Sequence, residues 1–222
     1  MIKRIFGIIT CVFAACTLAF GQSKTSGDSF FRDFVSRNWN AESGLPGNTI
    51  TDIMQDKDGY MYFGTYSGLL RFDGVEFISM NRLYDEKYDF LSARTTYQDS
   101  RNHIWIGSND EGVTCIKDNG EILRYTVKDG LPNNSIRAIC EDKNNFIWIG
   151  TASGIMCVNR QYILEYLVGF DELPNNNHFT LTQLYCDTAG RMWIITQTED
   201  LYCYSGGKIE KSQMIKSMKN LL

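Results

Sequence analysis

The chain contains little proline, few histidines and no cluster of positive charge. It has 3 Pro and 2 His but 19 Gly among its 222 residues, a balance that favours many tight turns over a Pro-rich linker. The formal net charge is −4, and no basic stripe runs along the sequence. Because phosphate backbones and anionic lipids are bound by clustered Lys and Arg, nucleic acid and anionic membrane surfaces are not expected partners.

The first 22 residues have the composition of an export signal. Lys3 and Arg4 precede an almost unbroken apolar run, Ile5–Phe20, which is shorter than the ~20 residues of a membrane-spanning helix. Small residues at both ends of Ala19–Gly21 then place a cleavage point before Gln22. No later apolar stretch of the sequence is long enough to span a bilayer.

These features predict a cleaved signal peptide at 1–21, with two alternatives. Phe13–Cys16 loosely resembles a bacterial lipobox, which would make Cys16 a lipid-modified N-terminus. The apolar run could also remain as an uncleaved anchor. All three readings place the rest of the chain outside the cytoplasm, in the periplasm or the outer cell envelope.

Four segments of the sequence repeat the same pattern. An Asp recurs at Asp56, Asp99, Asp142 and Asp187, and an aromatic residue follows six positions later at Tyr62, Trp105, Trp148 and Trp193. Both markers step by 43, 43 and 45 residues. Two markers that keep one period indicate a structural repeat of the length typical of a propeller blade.

Each repeat reads as four short strands separated by turn residues. The first strand alternates apolar and polar residues, and the second carries the aromatic residue and ends in Gly64, Gly107 or Gly150. The fourth repeat is looser, with Ile195 at that glycine position and Asp200 at the next. The sequence predicts an all-β fold of four-stranded antiparallel propeller blades, about four of them, as part of a larger propeller. The aromatic residues are expected to fill the space between blades, and the glycine at the strand end is expected to let a neighbouring backbone approach closely.

Both ends of the repeat array are informative. The stretch Phe30–Asn48 resembles Leu123–Asn134, the last strand of one repeat with its link to the next, so the chain is expected to open with an orphan outer strand. An opening part of a longer protein is favoured over a closed four-bladed ring. The predicted organisation is a signal peptide at 1–21, an N-terminal segment at 22–48, four repeats in 49–204 (about 49–91, 92–134, 135–179 and 180–210) and a truncated or tail segment at 211–222.

Cysteine usage does not indicate a disulfide framework. Two of the seven Cys lie in the leader, which leaves an odd number in an exported protein. The other five are assigned to two repeat positions, Cys115, Cys157 and Cys203 to one and Cys140 and Cys186 to the other. A Cys used repeatedly at one packing position is interpreted as a small buried hydrophobe.

The repeats resemble the two-component regulator propeller repeat, whose pattern is a Gly-Leu-Pro link followed by Asp, Trp and Gly at fixed spacing. The pattern stands here as Gly44–Ile50 with Asp56–Gly74, and as Gly130–Ile136 with Asp142–Val158. The likeness covers roughly residues 30–204. The second repeat lacks the Gly-Leu-Pro link, and the fourth has lost two glycines.

The resemblance implies a periplasmic sensor half of a hybrid two-component or diguanylate cyclase-type receptor. Its implied partners are further propeller blades, a membrane-linked output domain and an unknown small ligand, for which an oligosaccharide fragment is plausible by family likeness alone. None of the output machinery lies in this sequence, so the chain is expected to have no catalysis of its own.

Catalytic and metal-binding patterns are absent from the sequence. His103 and His178 occupy different repeat positions and are interpreted as surface imidazoles. Asp56–Gly59 begins like a calcium loop, but Ser67 stands where the bidentate Glu is needed. No nucleophile elbow, zinc helix motif or phosphate-binding Gly loop occurs. The sequence therefore predicts no cofactor and no metal.

A ligand is expected to bind the loops that follow the second strand of each repeat, because strands are committed to packing. These loops vary most between repeats, and the predicted ligand-binding residues are Tyr66, Asn109, Asp110, Glu111, Thr198 and Glu199. The leading functional hypothesis is a ligand-sensing module. A free-standing exported binding or adhesion protein is the alternative, and a propeller lyase is the third.

Overall fold

A computed structural model describes residues 37–45, 49–84, 89–169, 180–198 and 200–212 of the chain. The chain divides into a first unit, Met1–Asn38, and a second unit, Trp39–Leu222. The described strands all lie in the second unit. The leader with Cys16, the orphan outer strand and the link Leu173–Asn175 fall outside the described residues, so the predictions made for them stay predictions.

Within these ranges, sixteen strands form four antiparallel sheets of four, each with its strands in chain order. Sheet 1 contains β1 (Ile50–Gln55), β2 (Met61–Thr65), β3 (Gly68–Phe72) and β4 (Phe77–Ser79). Sheet 2 contains β5 (Thr95–Gln98), β6 (Ile104–Gly107), β7 (Val113–Ile116) and β8 (Ile122–Tyr125). Sheet 3 contains β9 (Ile136–Glu141), β10 (Ile147–Thr151), β11 (Gly154–Val158) and β12 (Leu164–Gly169). Sheet 4 contains β13 (Leu181–Cys186), β14 (Met192–Thr196), β15 (Leu201–Ser205) and β16 (Lys208–Lys211).

The first strands of successive sheets contact one another, β1 with β5, β5 with β9 and β9 with β13. Four-stranded sheets that meet through their first strands are blades arranged about a common axis, with the first strand innermost. The predicted fold class is therefore confirmed. One short helix, α1 (Met80–Leu83), follows β4.

The Gly of each Gly-Leu-Pro link ends a short 3₁₀ turn. The turn Ala41–Ser43 ends at Gly44 with a φ of 93°, and the turn Val127–Asp129 ends at Gly130 with a φ of 110°. Side chains with a Cβ rarely adopt this left-handed conformation, so glycine is required at the point where one blade leads into the next.

The recurring Asp organises the first turn of each sheet. In sheet 2, Oδ1 of Asp99 accepts hydrogen bonds from the backbone N–H groups of Arg101 and His103, both at 2.9 Å. Its Oδ2 accepts a hydrogen bond from Nε1 of Trp105 at 3.0 Å. Asp142 repeats the arrangement, and its Oδ2 accepts from Nε1 of Trp148 at 3.1 Å. We call this unit the Asp clasp: the recurring Asp, the backbone N–H groups that it accepts from, and the aromatic residue six positions later.

Sheet 1 modifies the Asp clasp, whereas sheet 4 keeps its indole hydrogen bond. In sheet 1, Asp56 accepts from the backbone of Asp58 and Tyr60, and Tyr62 replaces Trp. Burial, and then the charge of Asp56, raise the pKa of the Tyr62 hydroxyl. In sheet 4, Nε1 of Trp193 donates to Asp187 at 3.0 Å. The third residue after each Asp has a left-handed φ, at Gly59, Asn102, Asn145 and Gly190. Asn replaces Gly in sheets 2 and 3 because it tolerates that conformation better than other side chains do.

His103 does not lie on the surface, so the sequence interpretation of this residue is wrong. Only 8% of the residue is exposed, and its Nδ1 lies 3.1 Å from Oδ2 of Asp99. The imidazole therefore belongs to the Asp clasp of sheet 2. His178 falls outside the described residues.

Three hydrophobic clusters fill the spaces between neighbouring sheets. Trp105 is fully buried among residues of sheets 2 and 3, including Ile136 and Ile139. Trp148 is buried between sheets 3 and 4, beside Leu181. The expectation that Trp fills the space between blades is confirmed at these two interfaces, where burial of each large side chain contributes about 1.5–3 kcal/mol or more. Trp193 is half-buried, and no described sheet covers it.

The glycines that end the second strands allow the next sheet to approach closely. A Cβ added at Gly64 would lie 2.8 Å from the carbonyl oxygen of Ala93, and one at Gly107 would lie 2.5 Å from Cγ2 of Ile136. Both neighbours stand at or just before the first strand of the following sheet. Gly150 meets Leu181 in the same way. The predicted close approach is confirmed, and it places the start of each inner strand against the previous blade.

One cysteine assignment from the sequence is wrong. Cys140 pairs across the sheet with Trp148, whereas the residue paired with Trp193 is Tyr185. Cys186 pairs with Met192, one step further along the strand. Cys140 and Cys186 therefore do not share a repeat position, because their sequence distances to the following Asp differ by one residue.

We expect Gly64→Val to lower the free energy of unfolding by about 1–3 kcal/mol, because the added atoms overlap a backbone carbonyl of the next sheet. The measurement is urea unfolding of the full chain. Ile195→Val is the matched control, since Ile195 holds the same position in sheet 4, and it should cost about 1 kcal/mol or less. Equal losses in the two variants would contradict the close-approach role.

We expect acid to weaken the Asp clasp of sheet 4. The hydrogen bond from the Trp193 indole, and then that from the backbone N–H of Arg191, hold the pKa of Asp187 below its ordinary value. A carboxyl whose pKa is lowered on folding stabilises the protein above the unfolded pKa of about 3.9, and this stabilisation is lost as the pH falls towards the folded value.

Asp187→Asn should therefore flatten the fall in stability below about pH 5, measured as the urea midpoint across a pH series. Asp58→Asn, at an exposed Asp of the first turn, should leave the slope of the parent chain unchanged. An unchanged acid slope in Asp187→Asn would show that the clasp carboxylate does not contribute to it.

Candidate functional site

One end of the four sheets carries the turns that join the second strand to the third. These four rim turns lie between β2 and β3, β6 and β7, β10 and β11, and β14 and β15. Thr65 begins the first, and its Oγ1 donates to the carbonyl of Gly68 at 2.8 Å. Thr151 donates to Gly154 in the same way at 2.9 Å. Because Thr65 also pairs with Ile50, the rim turns lie beside the starts of the innermost strands.

A cavity of about 390 Å³ opens at this end, and we call it the rim cavity. Its lining takes residues from every sheet: Thr49, Ile50, Thr51 and Tyr66 from sheet 1, Arg94 from sheet 2, Arg137 from sheet 3 and Thr182 from sheet 4. A cavity bordered by several blades at the axial end is a common place for ligands in repeat proteins, because each blade adds one side chain to it.

Four of these residues share one repeat position. Each immediately precedes the residue that pairs with Gly64, Gly107, Gly150 or Ile195 in the second strand of its sheet. The four residues are Thr51, Arg94, Arg137 and Thr182. They are separated by 43, 43 and 45 residues, the same steps as the Asp clasp. The repeat therefore brings one polar position from every blade to the same cavity.

The rim cavity is electropositive. Nη1 of Arg94 donates to Oδ1 of Asn109 at 3.1 Å, and Nε of Arg137 is buried without a hydrogen-bond partner. Neither guanidinium forms an ion pair with any carboxylate in the described part of the chain. Burial, and then the charge of Arg94, lower the pKa of Arg137, which remains charged because the ordinary pKa of Arg is so high. Two cations without an anion at one cavity make it a candidate anion site.

The structure places one predicted ligand-binding residue, Tyr66, in the lining of this cavity and a second, Asn109, against the side chain of Arg94. Tyr66 lines it with 61% of its surface exposed, and Asn109 holds the Arg94 guanidinium. Asp110 is exposed and accepts a hydrogen bond from Nδ2 of Asn109 at 3.4 Å, but it does not line the cavity. The backbone N–H of Glu111 donates to Oγ of Ser108 inside the rim turn.

Thr198, the described one of the two predicted residues in the fourth rim turn, does not line the cavity. Oγ1 of Thr198 lies 2.9 Å from Oγ1 of Thr196, so its hydroxyl is used within the turn. Glu199 falls outside the described residues, and its predicted role stays a prediction.

Sequence reasoning missed Arg94 and Arg137. They are 43 residues apart, and the recurring Asp and aromatic residues have the same spacing in the first three repeats. This shared spacing was the signal that could have indicated them. The predicted ligand-binding residues lie in variable loops, whereas these two side chains stand at the start of the inner strands.

A second cavity, of about 320 Å³, lies between sheets 3 and 4. Its polar groups have partners within the fold, since Asp142 belongs to the Asp clasp and Nε of Arg191 lies 2.6 Å from Oδ2 of Asp187. This cavity is therefore interpreted as the gap between two blades. Cys186 also lines it.

Two further features of the described residues bear on function. They contain no group of three or more His, Cys, Asp or Glu side chains placed to hold a metal ion. A search of the same residues found no helix with the length and apolar character that crossing a membrane requires.

Comparison with known proteins agrees with the repeat pattern. Residues 44–67 and 130–153 match the family model of the two component regulator propeller. Each matched stretch runs from a Gly-Leu-Pro link through an Asp clasp to a rim turn. No curated protein matches the chain in sequence.

Solved structures of three propeller proteins resemble the chain. The extracellular domain of a protein assigned as the hybrid two component system BT3049 of B. thetaiotaomicron is 26% identical with a TM-score of 0.63, over 76% of this chain and 23% of that one. The extracellular domain of a protein assigned as the one component system BT4673 of the same organism is 25% identical with a TM-score of 0.55, over 73% and 22%. Virginiamycin B lyase from Staphylococcus aureus is 15% identical with a TM-score of 0.58, over 74% and 56%, and this likeness concerns the fold alone.

The chain spans less than a quarter of the two extracellular domains. Two of its repeats match the family model directly. In these two stretches, the chain is similar to the two component regulator propeller family.

Proposed function

We propose that the chain is a ligand-recognition module of an extracytoplasmic sensor, and that its rim cavity binds a small anionic ligand. The observation that carries the ligand class is the pair Arg94 and Arg137 at one cavity, neither of which forms an ion pair with a described carboxylate. The sensor role is supported by the two similar extracellular domains, which belong to proteins assigned as two component and one component systems.

The two guanidinium groups are suited to different tasks. Arg94 is oriented by Asn109, so its remaining N–H donors form a preorganised fork for a carboxylate or sulfate group. Arg137 has a buried Nε that lacks a partner, and an incoming oxyanion would both satisfy this donor and relieve the repulsion between the two cations.

Tyr66 and the threonines define what surrounds the anion. The exposed ring of Tyr66 offers an apolar face with a hydroxyl at its end, and Thr51 and Thr182 add hydroxyl groups that accept and donate hydrogen bonds. Such a combination fits an acidic sugar fragment, with the acid on the arginines and the ring on Tyr66. An acidic sugar fragment satisfies two conditions: it carries the anion that the arginines favour, and it belongs to the oligosaccharide class that the family likeness implies.

A bound anion would connect the sheets that line the cavity. Arg94 belongs to sheet 2 and Arg137 to sheet 3, and Tyr66 belongs to sheet 1. One ligand that contacts all three restrains their relative movement, which is a change that a linked output domain can detect. The chain itself acts only as the recognition part in this scheme and carries out no catalysis.

We expect Arg137→Gln and Arg94→Gln each to weaken binding of a short oligogalacturonate by about 10- to 100-fold, because each removes a charge-assisted hydrogen bond. Isothermal titration calorimetry of the full chain gives the affinity. Lys57→Gln is the matched control, since it removes one positive charge in the β1–β2 turn at the opposite end of sheet 1, and it should bind like the parent chain.

A neutral oligosaccharide of the same length should bind at least about tenfold more weakly than the acidic one. Equal affinity for the two sugars would show that the arginines do not select the ligand. Equal losses in Lys57→Gln and Arg137→Gln would show that binding depends on net charge and not on the rim cavity.

The sensor role is tested by the native product. An antibody raised against residues 30–204 should detect a membrane-fraction species far heavier than the 25.4 kDa of this chain. A soluble or lipid-anchored product near that mass would instead favour the alternative of a free-standing exported binding protein.

A further inference from the structure

Two thiols from neighbouring sheets lie unusually close together. Cys140 stands in β9 and Cys186 in β13, the first strands of sheets 3 and 4, and these two strands are in contact. Their Sγ atoms are 2.8 Å apart. No other pair of described cysteines has an Sγ–Sγ contact, and Cys115 and Cys157 are buried singly.

The stagger of adjacent first strands explains why these two residues meet. The position paired with the aromatic residue in sheet 3, Cys140, contacts the residue one step beyond the corresponding position in sheet 4, Cys186. At the other interfaces the same two repeat positions hold Met54 and Gln98, and Tyr97 and Glu141. Only the interface between sheets 3 and 4 has Cys at both of these positions among the described residues.

The two thiols differ in access. Cys140 is 7% exposed, and its hydrogen bond with Cys186, followed by burial, raises the pKa of its thiol far above the ordinary value. Cys186 is half-buried and lines the cavity of about 320 Å³ between sheets 3 and 4. An oxidant that enters this cavity therefore reaches Cys186 first.

We infer that Cys140 and Cys186 form a reversible disulfide that fastens sheet 4 to sheet 3 when the protein is in an oxidising compartment. A disulfide has a sulfur–sulfur distance of about 2.05 Å, so the two Sγ atoms need to approach by less than about 1 Å. The odd number of cysteines in the mature chain is no obstacle, because one pair forms and the other three remain thiols.

The oxidant is a disulfide, either of a small thiol or of a thiol oxidoreductase. The Cys186 thiolate attacks one sulfur of the oxidant, which forms a mixed disulfide and releases the first thiol. Cys140 then loses its proton and attacks the Cys186 sulfur, which releases the second thiol. The two cysteines lose two protons and two electrons, and the oxidant takes up both to become two thiols.

A metal is a weaker explanation of this pair. Soft metal ions prefer thiolates, but zinc sites in proteins use at least three protein ligands. The described residues place no third His, Cys, Asp or Glu with Cys140 and Cys186. A covalent link needs only the two sulfurs.

The test is equilibration of the full chain in buffers of reduced and oxidised glutathione, followed by acid quenching, alkylation and peptide mass spectrometry. The expected result is a crosslinked peptide pair that contains Cys140 and Cys186 and has lost two hydrogens. Reductant should restore alkylation of both residues. Alkylation of both residues at every glutathione ratio would overturn the inference.

Three variants make the assignment specific. Cys140→Ser and Cys186→Ser should each abolish the crosslink, whereas Cys203→Ser, at a half-buried Cys of β15, should leave it intact. Oxidation should also slow proteolysis of sheet 4 in the parent chain and in Cys203→Ser, but not in the other two variants. A crosslink that joins Cys186 to Cys157 or Cys203 would contradict the proposed pairing. This readout is independent of ligand binding at the rim cavity.

Discussion

The fold depends on a buried or half-buried carboxylate that accepts hydrogen bonds from its own turn and from the aromatic residue six positions later. In sheet 2 the side chain of Asp99 is completely buried and joins the turn backbone to the indole of Trp105. The indole in turn fills the space against sheet 3. A buried carboxylate is tolerated only when such donors surround it, so this side chain links the turn, the second strand and the interface with the next sheet.

The Asp clasp therefore positions the other recurring residues of each blade. Each Asp clasp positions the second strand. The glycine near the end of that strand leaves room for the start of the next sheet, as Gly107 does for Ile136. The residue after this contact then points to the axial end, which is where Arg94 and Arg137 meet. A packing rule that repeats along the chain thus produces a functional cavity at its end, because each blade places the same repeat position there.

The same stacking also makes the contact between Cys140 and Cys186. The two cysteines come from repeat positions that differ by one residue, and in sheets 1 and 2 the same two positions hold Met54 and Gln98, which have no redox chemistry of this kind. Where both residues are cysteines, their contact provides a site for a covalent link. The rim cavity and the thiol pair lie on the inner strands, so ligand binding and redox chemistry would act on the same part of each blade.

The sequence alone determined the repeat length, the four-stranded blades, the close approach at Gly64 and the packing role of Trp105, because these follow from local spacing and side-chain type. The variation of the rim turns between repeats also singled out Tyr66 and Asn109, whose role in ligand binding stays a prediction. The tertiary structure alone decided that His103 is buried, that Arg94 and Arg137 share a cavity, and that Cys140 meets Cys186. The shared cavity of the arginines and the contact of the cysteines depend on how two sheets are offset in space, and the common repeat step does not record that offset.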